Sequence, residues 1–233
     1  MSEIAENLAE IRQRISAACE RAGRELDEVK LVAVSKTFSV EAIEEAMEAG
    51  QAVFGESKLQ EAEPKAAALP DSLEWHFIGR VQRNKVRKIL GIAGVVHAID
   101  SLRLACYTDQ IAKELGKCPK IFLQVNLAAE ASKGGFTPEA LRSEIVEIQA
   151  LEHLEVLGLM TIPPADDGRT REWFVKLREF RDKLASQAGG RLPFLSMGMS
   201  DDYEIAIEEG ATHVRVGSAI FGKRTYRVDG ELG

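Results

Sequence analysis

A lysine stands where a short apolar run stops. Lys30-Leu-Val-Ala-Val-Ser35 is followed at once by Lys36, which reads as the end of a β-strand. Low-dielectric walls around such a position disfavour the ammonium form and favour the free amine, a nucleophile toward aldehydes. The plain alternative is a strand-end lysine that reaches out to solvent. Two further segments carry a different chemistry. Ser196-Met-Gly-Met-Ser200 precedes a helix expected to start near Asp201, and Arg215-Val-Gly-Ser218 precedes Ala-Ile-Phe-Gly222. Small residues let backbone N–H groups approach a ligand, and a helix N-terminus favours an anion. Either segment alone is also what a strand end needs for conformational reasons. Together they point to a phosphate site, and with Lys36 they describe a ligand that is a phosphorylated aldehyde. Two ligand types satisfy that description: pyridoxal phosphate, or a sugar phosphate on a Schiff-base aldolase.

The elements that must position these residues follow from periodicity. Residues 3–22 place Ile4, Leu8, Ile11, Ile15 and Cys19 on one face, an amphipathic helix ended by Gly23. Short β-rich runs follow at 30–35, 52–54, 74–78, 95–99, 120–126, 154–160, 192–196 and 213–217. Helical patterns lie between them: Ser39 opens one that Gly50 ends, Thr137 with Pro138 opens another, and Asp201 with Glu204 forms a capping-box pair before Gly210. Strands alternating with helices imply parallel βαβ units. The count predicts an α/β fold, a (β/α)8 TIM barrel with one extra N-terminal helix; a doubly wound open sheet is the alternative. No linker divides the 233 residues, so one domain over 1–233 is expected, with the barrel proper at about 28–224. In such a barrel the chemistry sits at the strand C-termini, and the loops after strands seven and eight form the usual phosphate site. Strand one is their neighbour across the closure.

Composition narrows the function classes. The chain is 45% hydrophobic and 29% charged, as an ordinary soluble globular protein is, and its net charge of −7 argues against nucleic acid or an anionic membrane as partner. Cys19, Cys106 and Cys118 form no CxxC and no metal spacing, and no HxH or HExxH occurs. The start lacks the apolar core of a signal peptide, and no apolar run approaches the ~20 residues of a membrane helix. A reduced, cytoplasmic protein is expected.

The chain carries Val34-Ser-Lys-Thr37, Gly55-Glu-Ser-Lys-Leu-Gln-Glu61, Trp75-His-Phe-Ile-Gly-Arg-Val-Gln-Arg-Asn-Lys85, Gln124-Val-Asn126 with Ser132-Lys-Gly-Gly-Phe136, and Gly158-Leu-Met160. Leu195 to Asp202 and Arg215 to Gly222 complete the set, and are the most specific segments. Through them the chain shows a resemblance to the YggS/PROSC family of pyridoxal-phosphate homeostasis proteins over nearly its whole length. That resemblance implies the alanine-racemase-type barrel (pyridoxal-phosphate fold type III), an internal aldimine on Lys36, and a phosphate held by Ser200, Gly217 and Ser218. Arg215 would face the pyridine nitrogen. Met197 and His76, within the matching segments, are expected at the cofactor as well. Ser57 stands where the family usually has asparagine, which puts a side-chain amide contact there in doubt; Ser218 stands for the commoner threonine and keeps the hydroxyl.

Pyridoxal phosphate supports catalysis when its ring acts as an electron sink, which a protonated ring nitrogen deepens. Arginine stays protonated and only donates, so Arg215 would leave that nitrogen unprotonated. Racemisation also needs an acid opposite the lysine. In the resembled racemases it comes from a further β-domain, for which the 15 residues after Ser218 leave no room, and neither Tyr107, Tyr203 nor Tyr226 follows a strand end. The expected function is therefore intracellular cofactor homeostasis: holding pyridoxal 5′-phosphate on Lys36 and passing it to apoenzymes. An amino-acid racemase or lyase is the alternative. Glu56 as an isomerase base is a further enzymatic option. Arg80, Arg83, Lys85, Arg87 and Lys88 read as a solvated helix face, and Lys133 lies in a glycine-flanked loop that either closes over the pocket or leaves it a surface lysine.

Overall fold

Each apolar run becomes a strand in the computed structural model, which describes residues 2–130, 133–164, 168–188 and 192–222. The strands are β1 (Lys30–Val34), β2 (Val53–Glu56), β3 (Glu74–Phe77), β4 (Val95–Ile99), β5 (Lys120–Gln124), β6 (Glu155–Met160), β7 (Phe194–Ser196) and β8 (His213–Val216). All pair in parallel in sequence order, and β8 returns to β1 with Val32 opposite Arg215 and Ala33 opposite Val216. The barrel is closed, so the open doubly wound alternative is not adopted. Expectations that fall on Ser132, Tyr226 and the barrel's end near 224 lie outside the described residues.

The helices are α1 (Glu3–Ala22), α2 (Val40–Glu48), α3 (Leu59–Ala68), α4 (Val86–Ile92), α5 (Leu102–Leu115), α6 (Pro138–Gln149), α7 (Thr170–Ala188), α8 (Tyr203–Glu208) and α9 (Ser218–Phe221). Ser2 caps α1 by accepting from the Ala5 N–H, and Gly23 closes it in the left-handed region. Its buried face is Leu8, Ile11, Ile15, Ala18 and Cys19, packed against α2, α8 and α9. Each of the larger aliphatics there contributes about 1.5–3 kcal/mol by leaving water. Ser39 caps α2, and Thr137 caps α6 with Pro138 in its first turn.

One cap differs from expectation. Asp201 and Glu204 form no capping box: α8 starts at Tyr203, and the Asp202 carboxylate turns back to accept from the Met199 N–H at 2.6 Å. Glu204 is drawn outward by Arg14 and Arg21 of α1. Ion pairing across helices has won over the local cap.

Alternation along each strand sorts side chains between the barrel interior and the helix layer. Ser35 points outward and donates to Glu56, which in turn accepts from Lys65 of α3. His76, His97, Phe122, Phe194 and His213 point inward, with neighbouring rings 4.6–6.1 Å apart. By the same alternation Lys36 turns toward the barrel mouth, two residues beyond Val34.

Candidate functional site

A cavity of about 250 Å³ opens at the C-terminal ends of β1 and β8. Its polar lining is Lys36, Ser57, Ser200, Asp201, Arg215 and Ser218; Val34, Phe38, Ile78, Ile162, Met199 and Gly217 complete it. The volume lies just under the about 300–1,000 Å³ usual for pockets of drug-sized ligands, so it suits one compact molecule.

Lys36 is held by a tight turn. Thr37 adopts φ 71°, unusual for a side chain of its kind, and such strain costs of order 1–3 kcal/mol. The turn persists because the Thr37 N–H donates to Glu61 Oε2 at 2.6 Å and the Phe38 N–H to the Ser35 carbonyl at 3.1 Å. Beneath it, Lys65 Nζ donates to the Ser35 carbonyl at 2.8 Å and to Glu56 Oε1 at 2.7 Å. Glu56 is 1% exposed, and burial raises its carboxyl pKa while Lys65 and Ser35 oppose the rise. It faces the helix layer and does not line the cavity, which removes it as a base for a bound substrate.

The segments after β7 and β8 meet at the opposite wall. Gly198 has φ 92°, and a Cβ there would stand 2.6 Å from the Ala206 Cβ; only glycine lets this loop turn so close to α8. Its carbonyl accepts from the Arg215 N–H at 3.0 Å, and Ser200 Oγ accepts from the Gly217 N–H at 3.2 Å. Ser200, Gly217 and Ser218 are thereby brought to one wall, with Lys36 across the β1–β8 seam. Gly79 plays a similar part for Ser57: a Cβ at Gly79 would lie 2.0 Å from the Ser57 carbonyl oxygen.

Arg215 forms the floor. It is 5% exposed, and its Nη1 donates to Ser196 Oγ at 2.6 Å and its Nη2 to the Thr161 carbonyl at 3.1 Å. Burial lowers its pKa to about 10, with nearby Asp202 opposing, so the group is still a cation at neutral pH. An amine, two hydroxyls beside a backbone turn, and a buried guanidinium suit a ring that carries an aldehyde, a phosphate and a nitrogen acceptor.

Six of the eight expected residues therefore line one cavity: Lys36, Ser57, Ser200, Arg215, Gly217 and Ser218. His76 does not join them. It points into the barrel one layer down, where Glu74 and His97 take its two ring nitrogens at 2.8 Å each. Met197 is fully buried in the apolar core, and Met199, two residues on, takes the cavity wall instead. Thr161 stands at a strand end, where site residues are expected, whereas Glu61 lies inside one of the matching segments and nothing local marks it as the anchor of Thr37.

The remaining expectations resolve simply. Lys133 Nζ binds Glu130 at 2.9 Å and the Pro163 carbonyl at 3.0 Å, which ties the loop after β5 to the loop after β6. In the basic run, Arg83 stacks on Tyr107, Arg87 pairs with Glu114 and Lys88 with Glu63. Neither Tyr107 nor Tyr203 lines the cavity; Tyr203 is buried beneath Arg14.

Residues 6–225 match the family model of the alanine racemase N-terminal domain. The pyridoxal phosphate homeostasis protein of Aquifex aeolicus is 45% identical over 227 residues, covering 95% of this chain and 98% of the relative. The structure of PipY from Synechococcus elongatus with pyridoxal phosphate bound superposes with a TM-score of 0.83 at 41% identity, over 94% of this chain and 100% of that one. Alanine racemase of Clostridium difficile shares the fold alone, with a TM-score of 0.75 at 19% identity over 98% of this chain and 58% of that one.

Proposed function

The chain belongs to the pyridoxal phosphate homeostasis protein family, built on the alanine racemase N-terminal domain, and on that premise we propose that it holds pyridoxal 5′-phosphate as a Schiff base on Lys36 and passes it on without robust catalysis of its own. The cofactor supplies an aldehyde that condenses with a primary amine, and a ring that can serve as an electron sink. Lys36 is the amine at the cavity wall. Ser200 and Ser218 offer hydroxyls, and the turn at Gly217 offers close backbone approach, for a phosphate. Val34, Ile78 and Ile162 add apolar surface to the lining. The reading extends to one cofactor-binding barrel working in the cytoplasm, with pyridoxal-phosphate-dependent apoenzymes as recipients rather than nucleic acid or membrane. The net charge of −7 supports it, as does the lack, among the described residues, of any helix long and apolar enough to cross a membrane.

Arg215 is the observation that carries the holding role. A guanidinium donates and accepts nothing, so a ring nitrogen facing it stays unprotonated and the sink stays shallow. Ser196 Oγ and the Thr161 carbonyl fix its Nη1 and Nη2 at the cavity floor. Incubation of loaded protein with a panel of amino acids in heavy water tests this by following the α-proton. The expected result is no exchange beyond one equivalent of protein; rapid exchange at substoichiometric protein would show an enzyme.

A further inference from the structure

A single file of hydrogen bonds runs through the barrel interior. At the N-terminal rim, Glu74 pairs with Lys30 at 3.0 Å, both side chains about two-fifths exposed. Glu74 Oε1 lies 2.8 Å from His76 Nε2, His76 Nδ1 lies 2.8 Å from His97 Nε2, and His97 Nδ1 lies 2.8 Å from Ser196 Oγ. Ser196 Oγ in turn accepts from Arg215 Nη1, on the floor of the cavity. His76, His97 and Ser196 are at most 1% exposed. A chain from a carboxylate at one end of the barrel to a guanidinium at the other passes through three residues that do not line the cavity.

Donor counting gives this chain one direction. An ionised Glu74 can only accept, and with both rings neutral that end sets the direction; the Ser196 oxygen, with two lone pairs, accepts the Arg215 N–H either way. His76 must then carry its proton on Nε2 and accept at Nδ1. His97 must donate from Nε2 and accept at Nδ1, and the Ser196 hydroxyl supplies that proton while its oxygen takes the arginine N–H. Both rings are neutral in this arrangement and each group along the file has a partner. The reverse direction would set the lone pair of His76 Nε2 against the carboxylate.

The surroundings keep it so. Lys30 and Lys120 face His76, while His76, His213 and Arg215 face His97, each disfavouring a further positive charge; Glu74 alone favours one on His76. Burial is the largest influence on both rings and lowers both pKa values; the His76 hydrogen bond and Lys30 hold Glu74 down at about 2. His213, close by, is pushed down to about 3, mainly by burial.

We infer that Glu74 is a positioning residue for the cavity at the far end of the barrel: through His76, His97 and Ser196 it sets the direction of the hydrogen bonds that orient Arg215. This rests on the cavity being the cofactor site, where the orientation of Arg215 decides how it meets the ring nitrogen. Polarised hydrogen bonds between opposite charges strengthen one another, so a change at Glu74 is felt two rings away.

Imidazole nitrogen NMR on the cofactor-free protein tests the chain without reference to the cofactor. In the wild type both His76 and His97 should carry the proton on Nε2 at neutral pH. Glu74→Gln, whose amide can accept or donate, should let the reverse direction appear on both rings together. Ser196→Ala should leave both tautomers in place, because an accepting His76 Nδ1 still requires the proton on His97 Nε2. A His97 proton on Nδ1 in the wild type, or a His97 signal indifferent to Glu74→Gln when His76 changes, overturns the proposal. With pyridoxal phosphate added, Ser196→Ala should displace the visible band and Ser196→Thr should restore it; a band unmoved in both Ser196→Ala and Glu74→Gln also overturns it. Should the wild type show no visible band at all, the cofactor reading fails, and the tautomer signals still decide whether the file has the direction argued here.

Discussion

Lys36→Ala protein incubated with pyridoxal phosphate shows none of the visible absorbance of the wild type. Lys36 is the one lysine on the cavity wall among the described residues, and a hydroxyl or guanidinium cannot replace an amine in condensing with an aldehyde. What is left is noncovalent retention by the wall of Ser200, Gly217 and Ser218 with Arg215 beneath. Losing the covalent link should weaken retention by on the order of a hundredfold, about 3 kcal/mol. The backbone anchors of the turn, the Thr37 N–H on Glu61 and the Ser35 carbonyl on Lys65, remain in the variant, so the chain should still fold. Absorbance titration and a thermal melt of both proteins measure the two effects. A full-strength band in the variant would place the reacting amine elsewhere and would also leave the strained turn at Thr37 without a purpose.

The largest effect on stability is expected at Lys65. Its ammonium is buried between Glu56 and the Ser35 carbonyl, with side-chain exposures of 8% for Lys65 and 1% for Glu56. Breaking a buried pair from one side typically costs about 3–5 kcal/mol, because the abandoned charge stays in place. Lys65→Met should therefore cost on that order at neutral pH, read from denaturant midpoints. The pH dependence follows from Glu56, whose pKa burial raises above its ordinary value. A group raised in the folded state favours folding below its unfolded pKa and loses that contribution as pH climbs through the folded value. Removing Lys65 raises the folded value further, so the deficit shrinks as pH falls through the raised folded values and is lost by about pH 4, where carboxyls are protonated in either state. Lys36 should also lose some of its fixed position, since Ser35, one residue before it, gives up its carbonyl partner.

The site was legible where the signal is local. An apolar run ending in Lys36 announces a strand end, and the glycine-serine segments after β7 and β8 announce close backbone approach. Parallel order in a closed barrel then brings strands one, seven and eight together, which is why Lys36, Ser200, Gly217 and Ser218 group together on strand order alone. Depth was not legible. His76 lies in a matching segment, yet the layer of the barrel it occupies depends on the stagger of β3 against β2 and β4, and that stagger carries it below the cavity to His97. Met197 and Met199 differ only in which side of a loop each presents, a matter the positive φ of Gly198 decides. The Asp201–Glu204 cap failed for a related reason: Glu204 finds two arginines from a helix nearly two hundred residues earlier in the chain. Long-range partners of this kind, including Glu61 on Thr37 and Glu74 at the foot of the histidine file, leave no mark in local spacing.

These long-range contacts bear on what the lysine is for. A catalytic lysine must shed and regain a proton beside an electron-poor ring, whereas a tether must be rigidly placed over a ring that stays electron-rich. Glu61 and the Ser35–Glu56–Lys65 cluster supply the rigid placement, and Arg215, fixed by Ser196 and the Thr161 carbonyl, would supply the partner for the ring nitrogen. Both features are what the proposed holding role requires.

The most direct measurement is to load the protein with pyridoxal phosphate, reduce it with borohydride, and map the added phosphopyridoxyl mass by peptide sequencing. The account predicts one modification per chain, on Lys36, and none in Lys36→Ala. Modification spread over surface lysines, or centred on Lys133 or Lys58 with Lys36 untouched, would contradict it.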